Sequence, residues 1–193
     1  MSRLLWLAAL TFGAMLGPMQ GAVAQEHAPE AAQQDAAASD ATAEATHQVS
    51  QLISQKFGVA RAKAEQISAA VMSAASKYSL PPALLLAIIS VESRFKEKAR
   101  GANGATGLMQ VVPAAHRQLV RNIDLTEATA NIEAGSAILH GYVQSARGDV
   151  GAALKSYGGS KAYAEKISLR ARAFAPQFGS GTDADTNTET TGD

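Results

Sequence analysis

From Val49 onward, apolar side chains recur at intervals of three and four residues, the period of one helix face. Val49, Leu52, Ile53, Phe57 and Val59 begin this stripe, and Ala64, Ile67, Ala70, Val71 and Ala74 continue it. Pro81 and Pro82 suit the first turn of a following helix, where missing N–H groups cost nothing. The run Leu84–Val91 is apolar almost all round, so that helix is expected to be buried; its extent from Pro82 to Phe95 favours helix over strand. A glycine-rich connection over 100–105 leads into Gly107–Val112 and a short helix near Ala114–Val120. Further helices are predicted over Ala128–Ala146, with Ile132, Ile138, Leu139 and Val143 inward, and over Val150–Tyr157 and Ala162–Phe174. No stretch reads as a clear strand, and no internal repeat is seen. The fold class is all-α, a single compact domain of roughly five to seven helices.

The two ends lack this pattern. Arg3, the apolar stretch Leu4–Leu16, the break at Pro18 and the small residues Ala22-Val23-Ala24 before Gln25 have the layout of a secretory signal peptide. The apolar stretch falls short of the roughly 20 residues of a membrane span, so 1–24 is expected to be cleaved rather than to anchor the chain. Residues 25–47 are rich in Ala, Gln and acid without a large aliphatic or aromatic side chain, and are predicted to be a disordered linker. Residues 179–193 are polar and acidic, and are predicted to be a disordered tail. The helical domain is thereby bounded at 48–178, and the protein is expected in the periplasm, without a membrane span in its mature form.

Composition narrows the chemistry. The 193 residues contain no cysteine, which excludes disulfides, thiolate metal sites, a thiol nucleophile and a lipidated N-terminal cysteine. Formal charge is zero, with 17 Lys+Arg and 17 Asp+Glu, but the charges are separated along the chain. Residues 77–175 hold 13 Lys+Arg and 7 Asp+Glu, so 13 − 7 = +6, whereas 25–47 and 176–193 hold only acids. A basic core suits an anionic polymer; solvated charge with no partner is the plainer alternative. The basic residues lack the aromatic interleaving of single-strand binders, so no nucleic acid is expected. His116 and His140 stand on helices with no partner at metal-ligand spacing, and no phosphate-binding or dinucleotide glycine pattern occurs, so neither metal nor cofactor is expected.

One position stands out. Glu92 closes the buried helix, with Ile88 and Ile89 one turn back and Phe95 ahead. Lost hydration and the negative end of the helix dipole both disfavour its ionised form, as a general acid at neutral pH requires. The alternative is a carboxylate paired with Arg94, Lys96 or another base. Gly101, Gly104 and Gly107 allow sharp bends or close approach to a ligand, and Gln110 can donate to and accept from sugar hydroxyls and acetamido groups.

Val91-Glu92-Ser93-Arg94-Phe95, then Ala99, then Gly104-Ala105-Thr106-Gly107-Leu108-Met109-Gln110-Val111-Val112-Pro113, resembles the catalytic motifs of the soluble lytic transglycosylase (SLT) family. The resemblance continues through Asn131-Ile132, Gly135, Ile138-Leu139, Gly148-Asp149 and Ala153-Leu154-Lys155-Ser156-Tyr157, over roughly 77–170. It implies a goose-type lysozyme-like fold and cleavage of the β-1,4 bond between N-acetylmuramic acid and N-acetylglucosamine in peptidoglycan strands, with Glu92 as acid and then base. It places Ser93 and Gln110 near the substrate, Val112 at an apolar cleft position, and Tyr157 on the tyrosine of the family's Y-N-A-G segment, where a packed core tyrosine is the alternative. A monomer is expected, and the small size fits an enzyme serving a secretion or pilus apparatus. The sequence departs from the pattern at Gly101, where many members carry serine, at Glu97 for a frequent proline, at Gly158 for the asparagine of Y-N-A-G, and in a short loop before Tyr163-Ala164-Glu165-Lys166-Ile167. A lysozyme-type hydrolase and a non-catalytic wall-binding protein are the rival readings.

Overall fold

The computed structural model describes the backbone of residues 28–179 and the side chains of 38–179. Seven α-helices follow one another: α1 (Ala28–Phe57), α2 (Arg61–Tyr78), α3 (Pro82–Glu92), α4 (Arg117–Val120), α5 (Ala128–Ser145), α6 (Val150–Gly158) and α7 (Lys161–Phe174). There is no strand among the described residues, only isolated bridges of Thr106 to Arg100 and to Val111. The all-α expectation holds.

Helix α3 is the axis of the domain. Every residue from Leu84 to Ser90 is buried, and α3 lies against α7 and α2. Each of Leu84, Leu85, Leu86, Ile88 and Ile89 contributes about 2 kcal/mol by leaving water. Around it α2 packs on α1 and α5, while α6 bridges α5 and α7. The later helices begin at side-chain caps: Glu127 accepts from the Ala130 amide, Asp149 from Ala152 and Ser160 from Tyr163.

Two boundaries differ from expectation. The linker expected over 25–47 is instead helical from Ala28, so the boundary set at residue 48 falls inside α1. Alanine has the strongest helix propensity, and Gln48 donates to Glu44 one turn back, so helix forms here without burial. Residues 38–44 are exposed; packing begins only at Val49 and Ser50. The second difference is the end of α3, which stops at Glu92 rather than Phe95. Arg94 (φ 53°) and Phe95 (φ 62°) are both left-handed, and Phe95 turns inward, its ring centroid 4.5 Å from that of Phe57. The signal segment 1–24 and the tail from residue 180 lie outside the described residues.

Candidate active site

The apolar run of α3 carries its last residue, Glu92, to the edge of the core and no further. Ser93 caps the helix through its backbone N–H on the Ile89 carbonyl (3.1 Å), and the left-handed pair Arg94-Phe95 swings the chain away. The Glu92 carboxyl is left half-buried at the helix C-terminus. Its Oε1 accepts a 2.6 Å hydrogen bond from the Tyr163 hydroxyl, which reaches it from the first turn of α7. Burial raises the pKa of Glu92 above the ordinary carboxyl value; the Tyr163 bond and the charge of Lys166 oppose that shift without cancelling it. Burial and the bond to Glu92 push the Tyr163 phenol up as well, so it stays protonated and donates. The alternative of an ion pair is not realised: among the described residues the salt bridges link Arg61–Glu65, Lys63–Glu97, Lys77–Glu133 and Lys161–Glu165, and none includes Glu92.

The loop after α3 is held by polar side chains turned onto backbone. Asn131 of α5 is fully buried; its Oδ1 accepts from the Met109 amide (2.8 Å), and its Nδ2 donates to the carbonyls of Thr106 (2.8 Å) and Leu125 (2.9 Å). Gly107, at φ 81°, admits this packing, because a Cβ there would lie 2.4 Å from the Leu125 carbonyl oxygen and 2.1 Å from the Asn131 amide. Gln110 donates to the carbonyls of Gly107 (2.9 Å) and Ala99 (3.2 Å). Its Oε1 occupies the space that a side chain on Gly101 would take, 2.2 Å from that Cβ position. The departure at Gly101 thus makes room for Gln110. The departure at Glu97 is also filled: its carboxylate bonds Lys63 at 2.7 Å and the Ala128 amide at 3.2 Å, tying the loop to α2 and α5.

The other residues singled out from sequence are more occupied than a free binding group would be. Ser93 is buried, with its hydroxyl on the Ile89 carbonyl at 3.1 Å. Tyr157 donates to the Met109 carbonyl at 2.9 Å and meets Tyr142 edge-on, so its hydroxyl braces the loop. Val112 is half-buried beside the Val111–Thr106 bridge. His140 bonds the Tyr78 carbonyl at 3.0 Å, and His116 lies edge-on to Tyr142. Among the described residues no three His, Asp or Glu side chains gather as metal ligands would. Sequence reasoning passed over Tyr163, which is the side chain bonded to Glu92. The available signal was its place in the first turn of a helix following a two-residue connection.

The site is therefore one half-buried carboxylic acid at a helix end, steadied by a tyrosine and flanked by a braced loop, in an all-helical domain. The model of the transglycosylase SLT domain family matches residues 69–174, and the chain belongs to that family. Among solved structures, an X-ray structure of an inactive mutant of lytic transglycosylase Slt from Pseudomonas aeruginosa is similar at 22% identity with a TM-score of 0.44, over 57% of this chain and 21% of that one. This chain thus matches about a fifth of that protein's length.

Proposed function

We propose that this domain is a lytic transglycosylase: it cleaves the N-acetylmuramic acid–N-acetylglucosamine β-1,4 bond of peptidoglycan strands and leaves 1,6-anhydromuramyl ends. The observation that carries this reading is Glu92, a half-buried carboxyl that, among the described residues, joins no salt bridge and caps no helix, and whose one side-chain bond comes from the neutral Tyr163 hydroxyl. Ordinary glycosidases set two acids across the scissile bond. Here every other acid of the domain core is taken up in an ion pair, a helix cap or a turn. Glu97 holds Lys63, Glu133 holds Lys77 and Tyr78, and Glu165 pairs with Lys161. Asp124 bonds the backbone and hydroxyl of Thr126, while Glu127 and Asp149 cap α5 and α6.

One acid suffices when the substrate supplies the nucleophile. Glu92, whose neutral form burial favours, acts from its protonated state and gives its proton to the glycosidic oxygen as the bond to C1 breaks. With Tyr163 on Oε1, Oε2 is the oxygen free to face the sugar. The resulting carboxylate then takes the proton of the muramic acid C6 hydroxyl, whose oxygen closes onto C1. No water is consumed, and Glu92 ends protonated. The intramolecular attack has a high effective concentration, so no second protein carboxylate is needed. Tyr163 eases the moment when Glu92 is charged, since a hydrogen bond to an ionised acceptor is about twice as strong as a neutral one.

The substrate places the protein at the cell wall, which agrees with the signal-peptide layout of 1–24 and an address in the periplasm. No described helix is long and apolar enough to cross a membrane. Mass spectrometry of sacculi digested by the purified protein tests the reading. Anhydro ends, lighter by one water than hydrolysed ends, are expected. Reducing ends carrying heavy oxygen from labelled water would establish the hydrolase instead, and binding without cleavage would establish the wall-binding protein.

A further inference from the structure

Two glycines end α6, and they are glycine for different reasons. Gly159 has φ 77°, a backbone conformation that side chains disfavour, and open space where a Cβ would go. Gly158 is the last residue of the helix and carries no such angle. Backbone geometry therefore does not call for glycine at 158, and helix propensity argues against it, since alanine would be favoured there. What calls for it is space. A Cβ on Gly158 would lie 2.2 Å from both Cγ and Cδ1 of Tyr163 and 2.5 Å from Cδ2.

These are the atoms at the root of the ring. Rotation of the ring about its own axis leaves Cγ where it is, so relief requires another Tyr163 rotamer or a shift of α7. The connection between α6 and α7 is only Gly159 and Ser160, and Ser160 is fastened to the Tyr163 amide as the cap of α7. Helix α7 is also packed along α3. The helix is held, so the side chain must give way, and its hydroxyl would leave the Glu92 carboxyl 2.6 Å from it.

We propose that Gly158 is a positioning residue of the active site: the absent side chain is the slot in which the Tyr163 ring stands so that its hydroxyl holds Glu92. The asparagine missing from this segment is, on this account, a sterically required absence that goes with the short α6–α7 connection. The catalytic consequence rests on the acid role of Glu92 proposed above; the slot itself does not.

The experiment separates the two. Gly158→Ala, Tyr163→Phe and the double variant are compared for melting temperature, for glycan cleavage, and for the titration of the Glu92 carboxyl followed by carbon NMR. Glu92 is faced by Tyr163 and Lys166 from α7 and by Tyr157 from α6, and only the first is altered. Loss of a bond that favours the carboxylate should move the Glu92 titration to higher pH in Tyr163→Phe. Gly158→Ala should move it the same way, and the double variant should match the single ones. Cleavage (kcat/KM) should fall about tenfold or more in each single variant, the usual size of a lost bond to a charged group, and no further in the double. Gly158→Asn should behave as Gly158→Ala, and alanine carries the test if the larger residue prevents folding. A Gly158→Ala protein that melts higher with Glu92 titrating as before would overturn the slot, as would losses that multiply in the double variant. If no variant nor the parent cleaves glycan, the proposed function fails while the titrations still decide the slot.

Discussion

Replacement of Glu92 by glutamine separates chemistry from stability. The amide keeps the shape of the side chain and an Oε1 that can still accept from Tyr163, while Oε2 becomes an NH2 group that cannot exchange a proton with the substrate. Proton transfer by a positioned group contributes about 10²–10⁴-fold to rate. Glu92 serves both the acid and the base step, so cleavage should fall by at least about 10³-fold. Stability should move the other way. Burial raises the folded-state pKa of Glu92 above its unfolded value, so the neutral acid favours the folded state. That contribution is fully present below the unfolded pKa of about 4.3 and is lost as pH rises through the folded pKa. Above the folded pKa the native protein bears the cost of a charged Glu92 and the amide does not. Glu92→Gln should therefore melt at or above the parent at pH 7, with the difference gone near pH 3.5. In a domain of this size 1 kcal/mol corresponds to about 3–5 °C, which differential scanning calorimetry resolves. Cleavage above about a hundredth of the parent rate would refute the acid assignment. A fall in melting temperature of more than about 5 °C at pH 7 would show that the carboxylate is a structural anchor.

Asn131→Ala should destabilise the domain by about 3–5 kcal/mol, read in chemical denaturation, because the Met109 amide and the Thr106 and Leu125 carbonyls lose a buried partner together. A cost under about 1 kcal/mol would mean that water replaces it. A chain comprising residues 48–179 should keep the melting temperature and glycan activity of the longer protein, since residues 38–44 of α1 are exposed; a lower melting point would locate stabilising contacts in the removed half of α1. Binding to isolated walls should weaken as salt rises from 0.05 to 0.5 M (assay values), because a net charge of +6 over 77–175 is screened on that scale. Pelleting that ignores salt would remove charge from the account of binding.

The parts of this molecule legible in sequence are those set by local rules. Leu84–Val91 reads as a buried helix, and the five helices from α3 onward begin within about three residues of where the sequence pattern places them. The end of α3 was not legible, because Arg94 and Phe95 enter the left-handed region without a glycine; the burial of Phe95 against Phe57 compels them. The first half of α1 was not legible either. Alanine-rich sequence without apolar anchors is compatible with helix or coil, and burial cannot arbitrate where there is none. At the site, Glu92 could be singled out because hydrophobic neighbours in sequence are also its neighbours in space. Its partner Tyr163 lies 71 residues away and is brought to it only by the packing of α7 on α3. Ser93 and Tyr157 fall on motif positions, yet their hydroxyls are spent on backbone carbonyls, which no spacing rule reveals.

The helical first half of α1 changes how the domain is carried rather than how far. Twenty or so residues of helix, from Ala28 to His47, span about 30 Å at 1.5 Å per residue. The same stretch as a flexible coil would have a root-mean-square span of about 25 Å, so the reach is nearly unchanged. Heading is what differs. A coil lets Glu92 face any direction, whereas a continuous helix running into the packed half of α1 sets one bearing between its tip and Glu92. Anything that grips that tip would steer the proposed active site as a handle steers a blade.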